Sequence, residues 1–208
     1  MNELTKIKNL LQYTTTSDKT YNGQDYEGGY HTLNVCGTTI VGQRKPTERI
    51  KNVPYDFQNK TVLDIGSNQG GMLFSLASQI KEGVGIDFDH RLVNVANRIK
   101  SSQPYNNLNF YVFDLEKEEF NLLTNLSQKK YDIIFLLSVC MWVKNWKELC
   151  SWCANNAKSC LFESNGTSSQ QDEQIEFLKT IYSNVVLINK KSTDDPSQSK
   201  RRLYLCEN

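Results

Sequence analysis

No apolar run in this sequence is long enough to cross a bilayer as a helix. The longest, Ile133 to Val139, is interrupted by Ser138 and has the length of a strand. The opening Met1-Asn2-Glu3-Leu4-Thr5-Lys6 lacks the apolar stretch of a secretory signal, so a cytoplasmic location is expected. Only two histidines occur, His31 and His90. The six cysteines (Cys36, Cys140, Cys150, Cys153, Cys160, Cys206) contain a single Cys-x-x-Cys, with no second one to complete a zinc site. The chain is neither small nor secreted in pattern, so reduced thiols and no metal are expected. Charge of one sign is missing too: 24 Lys and Arg face 23 Asp and Glu, a net charge of +1. Nothing global calls for nucleic acid. Local basic clusters at Arg44, Lys45, Arg49 and Lys51, and at Lys200-Arg201-Arg202, read first as solvated surface.

What is present suits one globular domain of 208 residues, 38% hydrophobic and 23% charged. Residues 1–58 are rich in Thr, Tyr, Asn and Gly, with one helix expected near Glu3 to Tyr13, and read as an N-terminal cap. Residues 59–208 alternate short apolar runs with amphipathic ones, the pattern of a sheet layered by helices. Strands are expected at 61–65, 83–86, 108–113, 131–137, 159–162, 184–189 and 202–206. Helices are expected at 70–80, 89–101, 116–126, 145–156 and 168–182, with Asp89 placed to cap the second. The polar loop from Ser192 to Ser199 lets the last two strands pair as an antiparallel hairpin. The fold class is therefore α/β.

The chemistry concentrates in Thr61-Val-Leu-Asp-Ile-Gly-Ser-Asn-Gln-Gly-Gly71. A buried strand delivers Asp64 to its carboxyl end, Gly66 permits a tight turn, and Gly70 and Gly71 let a helix start close to the sheet, the edge where open α/β sheets bind ligands. The pattern is Gly-x-x-x-Gly-Gly, with Asn68 where a dinucleotide fold needs bare backbone against a pyrophosphate. Asp64 would repel a diphosphate but suits a ligand with an ammonium and a sulfonium. Gly83-Val-Gly-Ile-Asp87 ends a second strand in an acid able to bind both ribose hydroxyls, with Phe88 next to it. A third strand ends at Asp114, which could accept from an adenine amino group, with Phe113 or Leu115 against the ring. Each acid taken alone could simply cap a helix; three in register after a glycine loop argue for a site.

The runs Val62 to Ser67, Gly85-Ile-Asp87, Phe113-Asp114 and Tyr131 to Phe135 resemble the successive motifs of class I S-adenosylmethionine-dependent methyltransferases, over residues 60 to 206. The resemblance implies a Rossmann-like, seven-stranded, mostly parallel sheet with its last strand antiparallel. It implies S-adenosyl-L-methionine as cofactor and S-adenosyl-L-homocysteine as product. Asp64, Gly66, Ser67, Asn68 and Gly70 would surround the methionine part, Asp87 and Phe88 the ribose side, and Asp114 and Leu115 the adenine. Ser138, after the fourth of these strands, and Arg44, as a partner for the methionine carboxylate or an anionic acceptor, complete the expected cofactor set, with Arg49 as a second candidate arginine.

The acceptor is less defined. Methyl transfer is an in-line displacement in which alignment does much of the work, and a phosphate or carboxylate acceptor needs no base. Leu137-Ser-Val-Cys-Met-Trp-Val-Lys144 lacks the Asn/Asp-Pro-Pro-Tyr/Phe run of enzymes acting on base amino groups. No proline precedes Cys140, which disfavours it as a nucleophile. If a hydroxyl needs a base, His31 and Glu163 are the candidates. The Gly42-Gln43-Arg44 segment and Ser138 to Trp142 resemble bacterial sugar and polysaccharide O-methyltransferases, and also wobble-uridine tRNA methyltransferases. Ser138-x-x-x-Trp142 is similar to RNA 5′-phosphate methyltransferases. The expected acceptor is a small or sugar-like molecule, with or without a phosphate. RNA is the alternative, and a binding module of the same fold without activity is the outsider.

Overall fold

The computed structural model describes residues 1–15, 26–127, 130–195 and 198–208. The chain opens with α1 (Glu3–Thr15), then a hairpin of β1 (Leu33–Val35) and β2 (Thr38–Ile40), then α2 (Pro46–Ile50). Strands and helices alternate afterwards: β3 (Thr61–Ile65), α3 (Gly71–Leu76), β4 (Glu82–Asp87), α4 (His90–Ser101) and β5 (Leu108–Val112). Next come β6 (Tyr131–Leu137), α5 (Trp146–Asn156), β7 (Ala157–Glu163), α6 (Ser168–Ile181), β8 (Asn184–Asn189) and β9 (Leu203–Glu207). The last seven strands form one sheet in the order β5-β4-β3-β6-β7-β9-β8. Only β9 runs antiparallel, inserted between β7 and β8. The Rossmann-like seven-stranded sheet and the closing hairpin are as the sequence led us to expect.

Side chains along a strand alternate between faces, and this sorts the core into two layers. Leu63, Ile65, Ile134, Leu136, Cys160 and Phe162 point to the side covered by α5 and α6. Val62, Ile133, Phe135 and Leu161 point to the side covered by α3 and α4. A smaller cluster joins the cap to the sheet: Ile7, Leu11, Leu33, Val35 and Ile40 pack on Val95 and Ile99 of α4. The chain leaves β3 toward β4 on one side and later returns to β6 on the other. This divergence opens a crevice above their carboxyl ends, where ligands bind in such sheets.

Local chemistry accounts for the departures from expectation. α3 stops at Leu76 rather than Ile80: the Ala77 amide donates to the Phe74 carbonyl and the Gln79 amide to the Leu76 carbonyl, tightening the end into three-residue turns, and the Asn107 side-chain amide donates to the Ala77 and Ile80 carbonyls beyond it. Residues 116–126 yield a 3-10 segment over Phe120–Leu126 instead of an α-helix. The Asp114 carboxylate accepts from the Glu116 amide and its carbonyl from Lys117 and Glu118, which holds the start of the stretch as a turn. On α4 the buried stripe is Val93, Val95, Ala96 and Ile99, and Asp89 caps the helix as expected by accepting from the Arg91 amide. β1, β2 and α2 in the cap had no sequence signal strong enough to place them. The stretch Thr16-Ser17 and the Pro196-Ser197 part of the last loop lie outside the described residues.

All six cysteines are free, Cys36 exposed and five buried. Cys150 and Cys153 lie on α5 in the core layer, and burial raises both thiols well above the ordinary range, Cys150 with its Cys140 neighbour contributing most. No group of three His, Cys, Asp or Glu among the described residues is arranged to hold a metal ion. No helix among them is long and apolar enough to cross a membrane.

Candidate functional site

The loop after β3 carries three backbone positions in the left-handed region: Gly66 at φ 73°, Asn68 at 53° and Gly70 at 78°. Gly70 is required twice over, because a Cβ there would also lie 2.5 Å from the Phe110 ring of β5. Gly71 has ordinary φ but no room: a Cβ would meet His31 at 2.5 Å. The helix thus starts tight against the sheet on one side and lets the cap settle on the other. Gln69 completes the junction by accepting from the His31 amide.

Asp87, the last residue of β4, is buried on the wall of the crevice. Its Oδ2 accepts from the Asn68 amide at 2.9 Å and its Oδ1 from the Asp89 amide at 3.0 Å. Burial raises its pKa, and these backbone donors act against that shift. Each carboxylate oxygen keeps a second lone pair, so the group can still accept from a diol. Asp114 lies two residues beyond β5, where Lys117 at 2.7 Å and the Glu116 amide lower its pKa. Phe88 stands exposed beside Asp87, and Phe113 and Leu115 supply apolar wall.

On the other half of the sheet edge lies a buried ionic cluster. Arg44 donates through Nε (2.7 Å) and Nη2 (2.9 Å) to Asp194, and through Nη2 to Glu163 at 3.0 Å. Arg49 donates to both oxygens of Glu163, at 3.2 and 2.5 Å. Burial works against the charge of Glu163, yet Arg49 and Arg44 hold its pKa below the ordinary value. Ser138 donates its hydroxyl to the same carboxylate. Ser138 itself sits at φ 65°, its carbonyl held by the Asn165 side-chain amide and its amide by the Glu163 carbonyl. Arg201 approaches from the residues before β9 and donates to the Ser138 hydroxyl at 3.1 Å.

These elements enclose a cavity of about 830 Å³. Of the residues expected from sequence, Gly66, Asn68, Asp87, Phe88, Asp114, Leu115 and Ser138 line it. Asp64, Ser67 and Gly70 do not. Asp64 is buried with an unpartnered Oδ2, and burial pushes its pKa up to about 7, with Asp87 adding to the rise and Arg49 opposing it. Ser67 packs its hydroxyl over Gly85 of β4.

Three expectations need correction. Arg44 is not available to a carboxylate of any ligand: it is fully buried, and its donors are taken by Asp194, Glu163, Tyr30 and Ser192. Glu163 is no free base, since two arginines keep it ionised and occupied. His31 is buried outside the cavity wall, and burial, with Arg49 and Arg44 nearby, lowers its pKa to about 3, so it takes up no proton near neutrality.

The basic clusters read as surface prove divided. Arg44 and Arg49 are buried while Lys45 and Lys51 are exposed. Arg201 is buried in the cavity wall, whereas Arg202 pairs with Asp172 outside. Sequence reasoning assigned no role to Arg201, Gln69, Asn165 or Asp194; nothing in their local context distinguishes them.

The described cavity residues fit the cofactor that the motifs imply. An acid with free lone pairs stands at the β4 end, an apolar slot lies beside it, and positive-φ backbone lines the turn between.

A family described as a methyltransferase domain matches residues 56–201. Protein 235L of Invertebrate iridescent virus 6, named as a methyltransferase, is 33% identical over 89 residues, 42% of this chain and 29% of the viral one. The U6 snRNA methylphosphate capping enzyme Amus of Drosophila melanogaster is 30% identical over 97 residues, 42% of this chain and 32% of that one. The chain thus spans less than a third of the length of these curated relatives. Among solved structures, the N-terminal domain of EvdMO1 with S-adenosylhomocysteine bound matches 100% of this chain and 97% of that one, with a TM-score of 0.68 and 11% identity. The bifunctional kinase-methyltransferase WbdD matches with a TM-score of 0.59 and 25% identity over 78% of this chain and 38% of that one.

Proposed function

The chain belongs to the methyltransferase domain family; from that premise we propose that it is an S-adenosylmethionine-dependent methyltransferase acting on an oxygen of a small or sugar-like acceptor that arrives already anionic. Residues 59–208 form the cofactor-binding domain in this reading, with 1–58 as its cap. Asp87 holds the ribose, Phe88, Phe113 and Leu115 enclose the adenine with Asp114 at its edge, and Gly66 and Asn68 face the methionine part. Asp64 lies behind the loop, outside the cavity wall, and bears on the methionine part only in its ionised form. S-adenosylmethionine, when bound, would supply the electrophilic methyl group for an acceptor oxygen, with S-adenosylhomocysteine as the leaving product.

The observation that carries the acceptor reading is the make-up of the wall above β6, β7 and β9. It presents Leu137, Ser138, Val139, Trp142, Val143 and Arg201, without a carboxylate or imidazole among the described residues. Glu163 lies behind Ser138 with its charge already matched. The acids that do line the cavity stand at the β4 and β5 ends. A neutral sugar hydroxyl would need a proton acceptor on this wall; a phosphate or carboxylate oxygen needs none. The protein's contribution is then to orient two ligands and exclude water between them.

RNA bearing a 5′-phosphate offers the same oxygen chemistry. The likeness to a relative named as a methylphosphate capping enzyme favours keeping it as the second reading. Calorimetric titration with S-adenosylhomocysteine, followed by methyl-transfer assays on a hexose, a hexose phosphate and a 5′-phosphorylated RNA oligonucleotide, tests both. Transfer to the hexose alone, with a rate rising steeply above neutral pH, would refute the anionic acceptor.

A further inference from the structure

Among the described residues, Arg201 is the member of the buried arginine cluster that lines the cavity. Arg44 is committed to Asp194 and Glu163, and Arg49 to Glu163 through Nε and Nη2. Arg201 is 8% exposed, and its partners among the described residues are the Ser138 hydroxyl at 3.1 Å and, more distantly, Glu163 at 3.9 Å. A guanidinium carries five N–H donors. None of its nitrogens is among the buried orphaned atoms, and the residue lines the cavity. A nearly buried arginine with one matched donor, facing a cavity, is a site for an anion.

Its place along the sheet edge separates the two anions on offer, the cofactor's carboxylate and the acceptor. Arg201 rests on Ser138, just past β6, and on Glu163, the last residue of β7. Two strand spacings separate β4, which carries Asp87, from β6, and three separate it from β7, about 10 and 14 Å. A cofactor whose ribose lies on β4 and whose methionine follows the loop after β3 leaves the ground above β6 and β7 to the second ligand.

We propose that Arg201 binds the phosphate monoester of the acceptor, as its specificity-determining residue, and that Ser138 and Glu163 are positioning residues that aim its guanidinium. This rests on the methyltransferase reading above and deepens it. A guanidinium fork matches two phosphate oxygens at once and leaves the third free as the nucleophile. At neutral pH a phosphate monoester is largely a dianion, so that oxygen needs no deprotonation. Ser138 holds a backbone conformation that residues with a Cβ rarely adopt, and its carbonyl, amide and hydroxyl are each hydrogen-bonded. The hydroxyl under Arg201 therefore cannot rotate away, and little side-chain freedom remains to be lost on binding.

The test uses the full chain saturated with S-adenosylhomocysteine and titrated with inorganic phosphate, a hexose 6-phosphate, the free hexose, and RNA oligonucleotides with and without a 5′-phosphate. Wild type is expected to bind the phosphorylated probes and not their unphosphorylated partners. The hexose and RNA arms tell which molecule carries the group. R201Q should weaken phosphate binding at least tenfold and change S-adenosylhomocysteine affinity less than threefold, with R201K intermediate and R202Q like wild type. Should R201Q fail to fold, R201K still reads the same contrast, because a point charge replaces the fork. Loss of S-adenosylhomocysteine affinity in R201Q or R201K with phosphate binding intact would assign Arg201 to the cofactor and overturn the proposal. Equal binding of phosphorylated and free probes by wild type would also overturn it, while leaving the methyltransferase reading standing. No binding of S-adenosylhomocysteine by folded wild type would instead sink that underlying reading.

Discussion

Arg44 and Asp194 lie 150 residues apart in sequence and meet as a forked ion pair, Nε to Oδ2 at 2.7 Å and Nη2 to Oδ1 at 2.9 Å. Both side chains are fully buried. The pair ties the cap to the loop ahead of β9, with Gln43 donating to Asp195 at 2.8 Å beside it. A buried charge left without its partner is costly, so D194A is expected to destabilise the protein by about 3 kcal/mol, the lower end for such pairs because Arg44 keeps Glu163. Urea denaturation of wild type and D194A measures this. A change under about 0.5 kcal/mol would show the pair to be no more than a surface contact.

Asp87 is expected to carry much of the cofactor affinity. D87A removes the proposed ribose acceptor and should weaken S-adenosylhomocysteine binding by about 1–3 kcal/mol. It also orphans the Asn68 and Asp89 amides, so the thermal midpoint should fall as well. Calorimetry at a temperature where both proteins remain folded separates the two effects.

Asp64 gives the protein a pH dependence of unusual sign for a carboxylate. Its folded pKa, about 7, lies above the unfolded one of 3.8, so the folded state holds the proton more tightly. Stability from this group is complete below the unfolded pKa and is lost as pH rises through about 7. The slope in that window approaches about 1.4 kcal/mol per pH unit for one proton. D64N, which keeps the shape and removes the titration, should flatten it. Denaturation midpoints measured from pH 4.5 to 8 in both proteins provide the check.

The contact between Gly71 and His31 predicts a suppressor. G71A places a methyl group 2.5 Å from the His31 Cβ and Cγ and should cost about 1–3 kcal/mol through overpacking. Adding H31A removes the opposing ring, so the double variant should be more stable than the two single losses summed. Additive losses would mean the cap does not press on α3 there.

Thiol chemistry reads the burial of the cysteines. Only Cys36 is exposed, and burial raises Cys153 and Cys160 well above the usual range. One thiol per native chain should react quickly with a disulfide reagent, and C36S should abolish that phase. Fast reaction of a second thiol would show that the α5 layer opens in solution.

Much of this molecule is written locally. The strands Thr61–Ile65 and Tyr131–Leu137 fall where their apolar runs do, because these central strands are buried on both faces. The turn after β3 needs left-handed backbone, which Gly66 and Gly70 announce. Asp87 is legible because it ends a strand that must stop at the ligand-binding edge. Sequence alone therefore determined the α/β class, the order of elements and the acid at the end of β4. Tertiary structure decided which charges are buried. Nothing near Arg44 or Arg201 differs from their exposed neighbours Lys45 and Lys200, and only partners brought from Glu163, Asp194 and Ser138 make burial tolerable. The same holds for Asp64 and Ser67, withdrawn from the cavity they flank in sequence, and for His31, enclosed by Gly71 rather than opened to a ligand. Periodicity reports how a segment meets its layer; the pairing of charges far apart in the chain leaves no periodic trace, so the fold alone could settle it.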